Sequence, residues 1–215
     1  MLLLPGRAIY WPERQTLFLA DMHLGKAAHF RKEGIHVPEN VADDNFERMD
    51  QLLEAYAPRR IVVLGDMFHS APNYEWRQFT DWKRRRLDPL GATLTLVKGN
   101  HDWAAGQFSD SKEIEAWNEL HLPPFRLVHH ADETPGAEES EAKHGSSLYT
   151  LGGHVHPAVK MRGKGRQQLT LPCFYFGRNY GLLPAFGAFT GTHILKPHPE
   201  DRVYLLLEDR VQEVS

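Results

Sequence analysis

The chain of 215 residues holds a single cysteine, Cys173 in TLPCFYF, which excludes an internal disulfide and any multi-cysteine zinc site. The apolar neighbours of that thiol mark it as buried and structural, without a catalytic role. Long apolar runs are also missing, and nothing approaches the roughly 20 residues needed to span a bilayer. The opening MLLLPG is too short an apolar run, and lacks a preceding basic segment, for a signal peptide, so a cytoplasmic protein with no membrane association is expected. Excess positive charge is absent as well: 25 Lys and Arg stand against 28 Asp and Glu, a net charge of -3. Any attraction for a polyanion must then come from local patches or bound cations. With no internal repeat and no linker, residues 1–215 are expected to form one globular domain. Residues 132–147, DETPGAEESEAKHGSS, have no apolar periodicity and read as a mobile acidic loop between two strands.

Histidine, by contrast, is abundant, with 13 in the chain. In GGHVHP, Gly152 to Pro157, two histidines stand one residue apart. On a strand such residues share a face, so His154 and His156 are expected to reach toward one point, as metal ligands would. Two surface histidines on a turn give the same pattern, and other residues must decide between the two.

Short apolar runs recur, each ending in a polar cluster: TLFLA then DMH, IVVL then GD, TLTLV then KGNHD, FRLV then HH, and LYTL then GGHVH. Between the first two, Phe46, Met49, Leu52, Leu53 and Tyr56 fall at helical spacing, so strand, helix and strand follow in order. Residues 74–88 read as a second crossover helix, with Trp76, Phe79 and Trp82 on one face. The charged run Lys83 to Arg86 at its end is either a basic patch or the helix's solvated face. Open α/β sheets bind ligands beyond the carboxyl ends of their strands, and here five strand ends carry carboxylates, an amide or imidazoles. Beyond GGHVH, the segments QQLTLPCFYF, AFGAFTG and RVYLLLEDRVQEV read as strands of a second sheet.

Taken together, Asp21-Met-His23, Gly65-Asp66, Gly99-Asn100-His101-Asp102, a histidine at 129 or 130, and Gly153-His154-Val-His156 resemble the five motifs of the calcineurin-like metallophosphoesterases, in order and spacing. LFLADMHLGKAAHFRKEGIHVP, LGDMFHS, LPCFYF and LLPAFGAFTG are most similar to the bacterial DNA-ligase-associated DNA damage response endonucleases. The resemblance implies an α/β fold of two packed mixed β-sheets flanked by helices, an αββα sandwich. It also implies a manganese-dependent DNA endonuclease or phosphodiesterase acting in DNA repair, in functional association with DNA ligase and helicase. The acidic 132–147 segment and the doubled His129-His130 depart from that pattern.

Two cations a few ångströms apart can neutralise a phosphodiester and stabilise its leaving oxygen. The resemblance assigns Asp21, His23, Asp66 and His156 to one metal and Asp66, Asn100, His129 and His154 to the other. Asp66 bridges, since a carboxylate has two oxygens to share. Oxygen and imidazole donors without thiolate suit Mn²⁺ or Fe²⁺ and tolerate Zn²⁺. His129 is preferred to His130 because it directly follows FRLV. His101 is the family's candidate for protonating the leaving group, and Asp102 beside it could hold that imidazole in position. Lys26, His29, Arg31 and His69 either contact flanking phosphates or are ordinary solvated side chains.

The substrate expected is single-stranded DNA entering an open site. Rival readings are a small-molecule or nucleotide phosphodiesterase or pyrophosphatase of the same superfamily, and a catalytically inactive scaffold. An acyl-chain lid would need more room than Trp103 to Val128 leaves, and every motif position carries a competent residue, so both rank below the nuclease. The oligomeric state stays open, a homodimer included.

Overall fold

The computed structural model describes residues 1–35, 41–69, 74–104, 114–131, 148–163 and 167–214. The acidic 132–147 segment and the middle of the Trp103 to Val128 stretch, whose contents were expected from sequence, lie outside the described residues.

A hairpin of β1 (Leu2–Leu4) and β2 (Ala8–Trp11) leads into β3 (Thr16–Ala20). The chain then forms the short helix α1 (Lys26–Lys32) and the longer α2 (Val41–Tyr56), and returns as β4 (Arg60–Leu64). Next come α3 (Tyr74–Trp82), β5 (Thr93–Val97), a single turn α4 (Asn100–Ala104) and β6 (Glu115–Trp117). These strands make a mixed sheet in the order β1-β2-β3-β4-β5-β6, parallel from β3 onward.

The second sheet is built from β7 (Leu120–Leu122), β8 (Phe125–Leu127), β9 (Tyr149–Gly152), β10 (Pro157–Arg162), β11 (Gln168–Phe176), β12 (Tyr180–Leu182), β13 (His193–Ile194), β14 (Arg202–Leu206) and β15 (Val211–Val214). Its order is β13-β10-β11-β12-β9-β8-β7, with the β14 and β15 hairpin joined to β11. Like the first sheet it is mixed: β8, β9 and β12 run parallel, while β10, β11 and β12 alternate.

Why the central strands read as unbroken apolar runs follows from burial on both faces. Leu17 and Leu19 of β3, with Ile61, Val63, Leu94 and Leu96, face the helices, where Met49, Leu52 and Leu53 of α2 and Phe79 and Trp82 of α3 meet them. The alternate residues Phe18, Ala20, Val62, Leu64 and Val97 pack on Leu127, Leu151, Phe174 and Leu206 of the second sheet. A third cluster, including Val128, Cys173, Tyr175 and Leu205, fills the far side of that sheet. Burial pushes the Cys173 thiol up to about 12, as befits a structural residue.

Three sequence expectations are corrected. AFGAFTG is an irregular segment and not a strand, because its backbone donors are spent elsewhere: Phe186 N–H on Ala20 O (2.8 Å) and Gly187 N–H on Asp21 O (3.1 Å). RVYLLLEDRVQEV is two strands, closed by Leu207 N–H to Arg210 O at 3.0 Å. The helix at 74–88 stops at Trp82 and continues as a π-helical turn, Lys83–Leu87. That charged turn packs as a paired, solvated face: Arg86 reaches Asp50 and Glu54 of α2, and Lys83 reaches Asp88.

Candidate metal centre

Beyond the strand ends, the DMH and GD loops continue side by side. Asp21 N–H donates to Gly65 O (3.2 Å), His23 N–H to Asp66 O (2.9 Å) and Leu24 N–H to Met67 O (2.9 Å). To keep this pairing while turning carboxylates and imidazoles inward, several residues adopt left-handed backbone. Asp21 (φ 51°), His23 (46°), Asp66 (46°), His154 (66°) and His156 (52°) all lie there. Non-glycine residues at positive φ cost about 1–3 kcal/mol each and cluster where function requires them. The premise that His154 and His156 share a strand face is therefore corrected. β9 ends at Gly152, and the two rings come from a left-handed turn that sends them to different sides.

Each aspartate is held by one oxygen and offers the other. Asp21 Oδ2 accepts the backbone N–H of His154 (2.9 Å), while Asp21 Oδ1 is buried without a hydrogen-bond partner, 3.6 Å from His156 Nε2. Asp66 Oδ1 accepts the backbone N–H of His101 (2.9 Å), leaving Oδ2 at 3.4 Å from His129 Nε2, 3.8 Å from His23 Nε2 and 4.0 Å from His101 Nε2. Asp66 thus stands between the His23 side and the His129 side, the position a shared ligand needs.

Two imidazoles are fixed from behind. His129 Nδ1 donates to Leu64 O (3.2 Å) and His156 Nδ1 to Gly191 O (3.0 Å). A carbonyl can only accept, so Nδ1 carries the hydrogen and Nε2 is turned to the carboxylates, the arrangement of a metal-binding histidine. His129 Nε2 also meets Asn100 Oδ1 (3.1 Å) and His154 Nδ1 (3.2 Å). His129, not His130, makes these contacts. The His130 ring lies tilted against that of His154, 3.8 Å between centroids, and its nitrogen falls in one cluster with those of His129 and His154.

The donor set fits divalent cations. Asp21, His23 and His156 form one cluster, Asp21, Asp66 and His129 another, with all ligand atoms in each cluster within 4.8 Å of one another. The unpartnered Asp21 Oδ1 and His23 Nδ1 are buried polar atoms that would each cost about 1–3 kcal/mol with nothing to bind. Burial, aided by Lys26, pushes His23 down to about 2, and burial with neighbouring imidazoles lowers His154, so both rings are neutral and able to ligate. Burial alone would lower His129, but the hydrogen bond to Asp66 and the charge of Asp21 raise it. Burial raises Asp66, and His129, the His101 amide and His23 together pull it below the ordinary carboxylate range. A proton on His129 thus sits where a cation would displace it.

Glycine is a steric requirement at two positions. At Gly65 (φ +79°) a Cβ would lie 1.9 Å from His129 Nδ1, and at Gly99 one would lie 2.2 Å from Asp66 Oδ1.

Around this core, His101 sits at the start of α4 with a side chain 37% exposed, against 3% for Asp66. Its ring stacks on His69 (5.0 Å, 29°) and meets His23 edge-on (5.3 Å). Burial, with His101 and Lys26, pushes His69 down to about 4. Lys26 is half-buried at the start of α1, where burial lowers its pKa against the opposing pull of Asp66 and Asp21. His29 contacts His69 ring to ring (5.3 Å), and Arg31 lies partly buried later in the same helix.

The expectation that Asp102 holds the His101 ring is corrected. Its buried carboxylate accepts three backbone N–H groups, from Met67 (3.0 Å) and Phe68 (3.3 Å) on Oδ1 and from Gly99 (2.9 Å) on Oδ2. Asp102 therefore splints the GD loop to the GN loop. Burial, the dominant influence, pushes it up to about 6.

Sequence reasoning missed the support of the 185–191 segment. Arg7 donates to Ala185 O (3.0 Å) and Gly187 O (3.1 Å), and Arg48 donates to Phe186 O with its guanidinium 5.2 Å over the Phe186 ring. Buried Asn45 takes the Ala188 N–H on Oδ1 (2.9 Å) and gives Nδ2 to Met22 O (3.4 Å). The available signal was Asn45 itself, a polar residue one helical turn before Met49 on the apolar stripe of α2.

Residues 15–169 match the calcineurin-like phosphoesterase family. The crystal structure of Pseudomonas putida nuclease MPE is similar at 33% identity, covering 99% of this chain and 93% of that one, with a TM-score of 0.76. Yfce, a phosphoesterase from E. coli, is more distant at 14% identity, 93% and 97% coverage and a TM-score of 0.43. No curated protein matches the chain in sequence.

Proposed function

Because the chain belongs to the calcineurin-like phosphoesterases, we propose that its centre holds two divalent cations, Mn²⁺ by preference, and hydrolyses phosphodiester bonds within single-stranded DNA. The observation that carries the nucleic-acid reading is the likeness to a nuclease along 99% of the chain at 33% identity. Asp21, His23, Asp66 and His156 would hold one cation and Asp66, Asn100, His129 and His154 the other. The cations would supply charge neutralisation and Lewis acidity at the scissile phosphate.

The chain's own groups do the rest. His101, beside Asp66 and open to solvent, donates a proton to the leaving oxygen. Lys26 and His69 grip the neighbouring phosphates, and Arg31 extends that grip along α1. Such contacts are indifferent to base identity, so cleavage is endonucleolytic and weakly sequence-dependent. A role in DNA repair alongside a ligase and a helicase, in the cytoplasm, completes the reading. It rests on the wording of the motifs and on the absence, among the described residues, of a helix long and apolar enough to cross a membrane.

The test is to incubate metal-free protein with each divalent metal and a closed circular single strand, a duplex, a simple phosphodiester and a phosphomonoester. Cutting of the circle with Mn²⁺ is expected. Survival of the circle while a linear strand is degraded from its ends would make the protein an exonuclease, and faster turnover of the monoester would sink the phosphodiesterase reading.

A further inference from the structure

The parallel strands β3, β4 and β5 carry the centre at their carboxyl ends. Their amino ends, some 16 Å away along five residues of strand, carry a second constellation that hydrolysis does not use. There a cavity of about 440 Å³ is lined by Arg14, Arg59 and Arg60 together with Trp11, Leu122 and Pro123. Its size lies within the 300–1,000 Å³ range of small-ligand sites.

Three arginines lining one cavity ordinarily repel one another or pair with carboxylates. Here, among the described residues, none of the three has an ion pair, and Arg14 lies over the Trp11 ring, 5.7 Å from its centroid. The backbone beneath is rigid. Arg59 N–H (2.8 Å) and Arg60 N–H (3.2 Å) both donate to Gln15 O, and Thr93 N–H donates to Arg59 O (3.0 Å). Thr16, Arg60 and Thr93 stand in register across the three strands, and the two hydroxyls flanking Arg60 brace the same backbone, Thr16 donating to Arg14 O (2.9 Å) and Thr93 to Arg59 O (3.5 Å). Trp11 is held too, edge-on to Phe125 (5.3 Å) and tilted over Phe18 (6.3 Å).

We propose that this cavity is a binding site for a nucleoside phosphate, with the phosphate on Arg14, Arg59 and Arg60 and the base against the Trp11 and Arg14 stack. Guanidinium forks match phosphate oxygens two at a time and also stack on flat rings, so one set of residues serves both parts of such a ligand. A bare anion would use the charge and leave the Trp11, Leu122 and Pro123 wall uncovered. The ligand's source is either a free nucleotide or a stretch of single-stranded nucleic acid, for which ring stacking and a basic groove are the usual grip. The site is separate from the centre, and its occupancy does not depend on any hydrolysis.

Binding of fluorescein-labelled dodecathymidylate to the full chain is followed by anisotropy in EDTA, where chelation removes any cations that could hold phosphate at the centre, and the arginine variants separate this site from the Lys26, Arg31 and His69 groups. Wild type should bind, and R14A/R59A/R60A should lose about tenfold or more in affinity, with the slope of log affinity against log salt reduced by about 0.7 for the one phosphate held. R14K/R59K/R60K, which keeps the charge and loses the fork, should fall between the two, and all three proteins should share one thermal midpoint. Competition by AMP would identify a free nucleotide as sufficient, whereas binding of the oligonucleotide without such competition would identify a strand. Absence of binding of both the oligonucleotide and, by calorimetry, AMP to wild type, equal affinity in R14A/R59A/R60A, or inorganic phosphate displacing the probe as well as a competing AMP does would overturn the proposal.

Discussion

His101 is joined to Asp66 twice over: its backbone N–H donates to Asp66 Oδ1 at 2.9 Å, and its ring nitrogen Nε2 stands 4.0 Å from Asp66 Oδ2. Only the second contact belongs to the side chain. His101→Ala should therefore keep the carboxylate in place and bind both metals, while kcat falls by about 10²–10⁴, the usual contribution of a positioned proton donor. Asp66→Ala removes the oxygen that faces His23, His129 and His101, and should lose both metals. Metal analysis of the two purified variants decides between these roles. A metal-free His101→Ala protein would mean that the ring itself is a ligand.

Asp102 makes a contrasting case, because its partners are amides of two loops. Asp102→Ala leaves three buried N–H groups without an acceptor and should cost about 3 kcal/mol or more in chemical denaturation. Metal affinity should fall with it, since Gly99 and Met67 flank Asn100 and Asp66. Asp102→Asn keeps one carbonyl oxygen and should fall between. An Asn variant of unchanged stability and much reduced kcat would instead favour an orienting role toward His101.

Arg48 supports one side of the centre from a distance. Its guanidinium holds Phe186 O, and the same segment ends in Gly191, whose carbonyl sets the His156 ring. Arg48→Ala should destabilise the chain by about 1–3 kcal/mol through the stranded carbonyl and the lost ring contact. It should weaken the metal bound on the His156 side more than the one on the His129 side. Titration calorimetry with Mn²⁺ checks this, and equal weakening of both steps would contradict it.

Cys173 gives a pH dependence whose sign can be worked out. Burial raises its thiol to about 12 in the folded chain, from 9.0 in the open chain. The unfolded state then loses the proton first as pH rises, so the contribution is fully present below about pH 9 and is lost progressively toward about pH 12. Urea midpoints measured from pH 8 to 11 should decline more steeply for wild type than for Cys173→Ala. At pH 8 a thiol reagent should label the native protein only as fast as it unfolds.

Much of the architecture was legible because its causes are local. Burial on both faces makes β3 and β4 nearly continuous apolar runs, and the stripe Phe46, Met49, Leu52, Leu53, Tyr56 can only be one face of a helix. Polar residues at the ends of such runs must lie beyond the carboxyl edge of a parallel sheet, so Asp21, Asp66, Asn100 and His129 could be brought to one place from order alone. AFGAFTG misled for the complementary reason. Its alternation resembles a strand, but Arg7 from the first hairpin and Asn45 and Arg48 from α2 take up its carbonyls and one of its amides.

By itself, then, the sequence determined which residue types stand at the strand ends and which elements carry them, since hydrophobic periodicity and turn chemistry act over a few residues. Only the tertiary structure decided how each group is used. The turn that separates His154 from His156 is held by Asp21, 133 positions away from His154 in sequence. The lone pair of His129 is aimed by the carbonyl of Leu64, and the Asp102 carboxylate is claimed by amides of another loop before it can reach its neighbour. A hydrogen bond is made by whichever donor and acceptor packing brings within about 3 Å, and that proximity is a property of the folded chain.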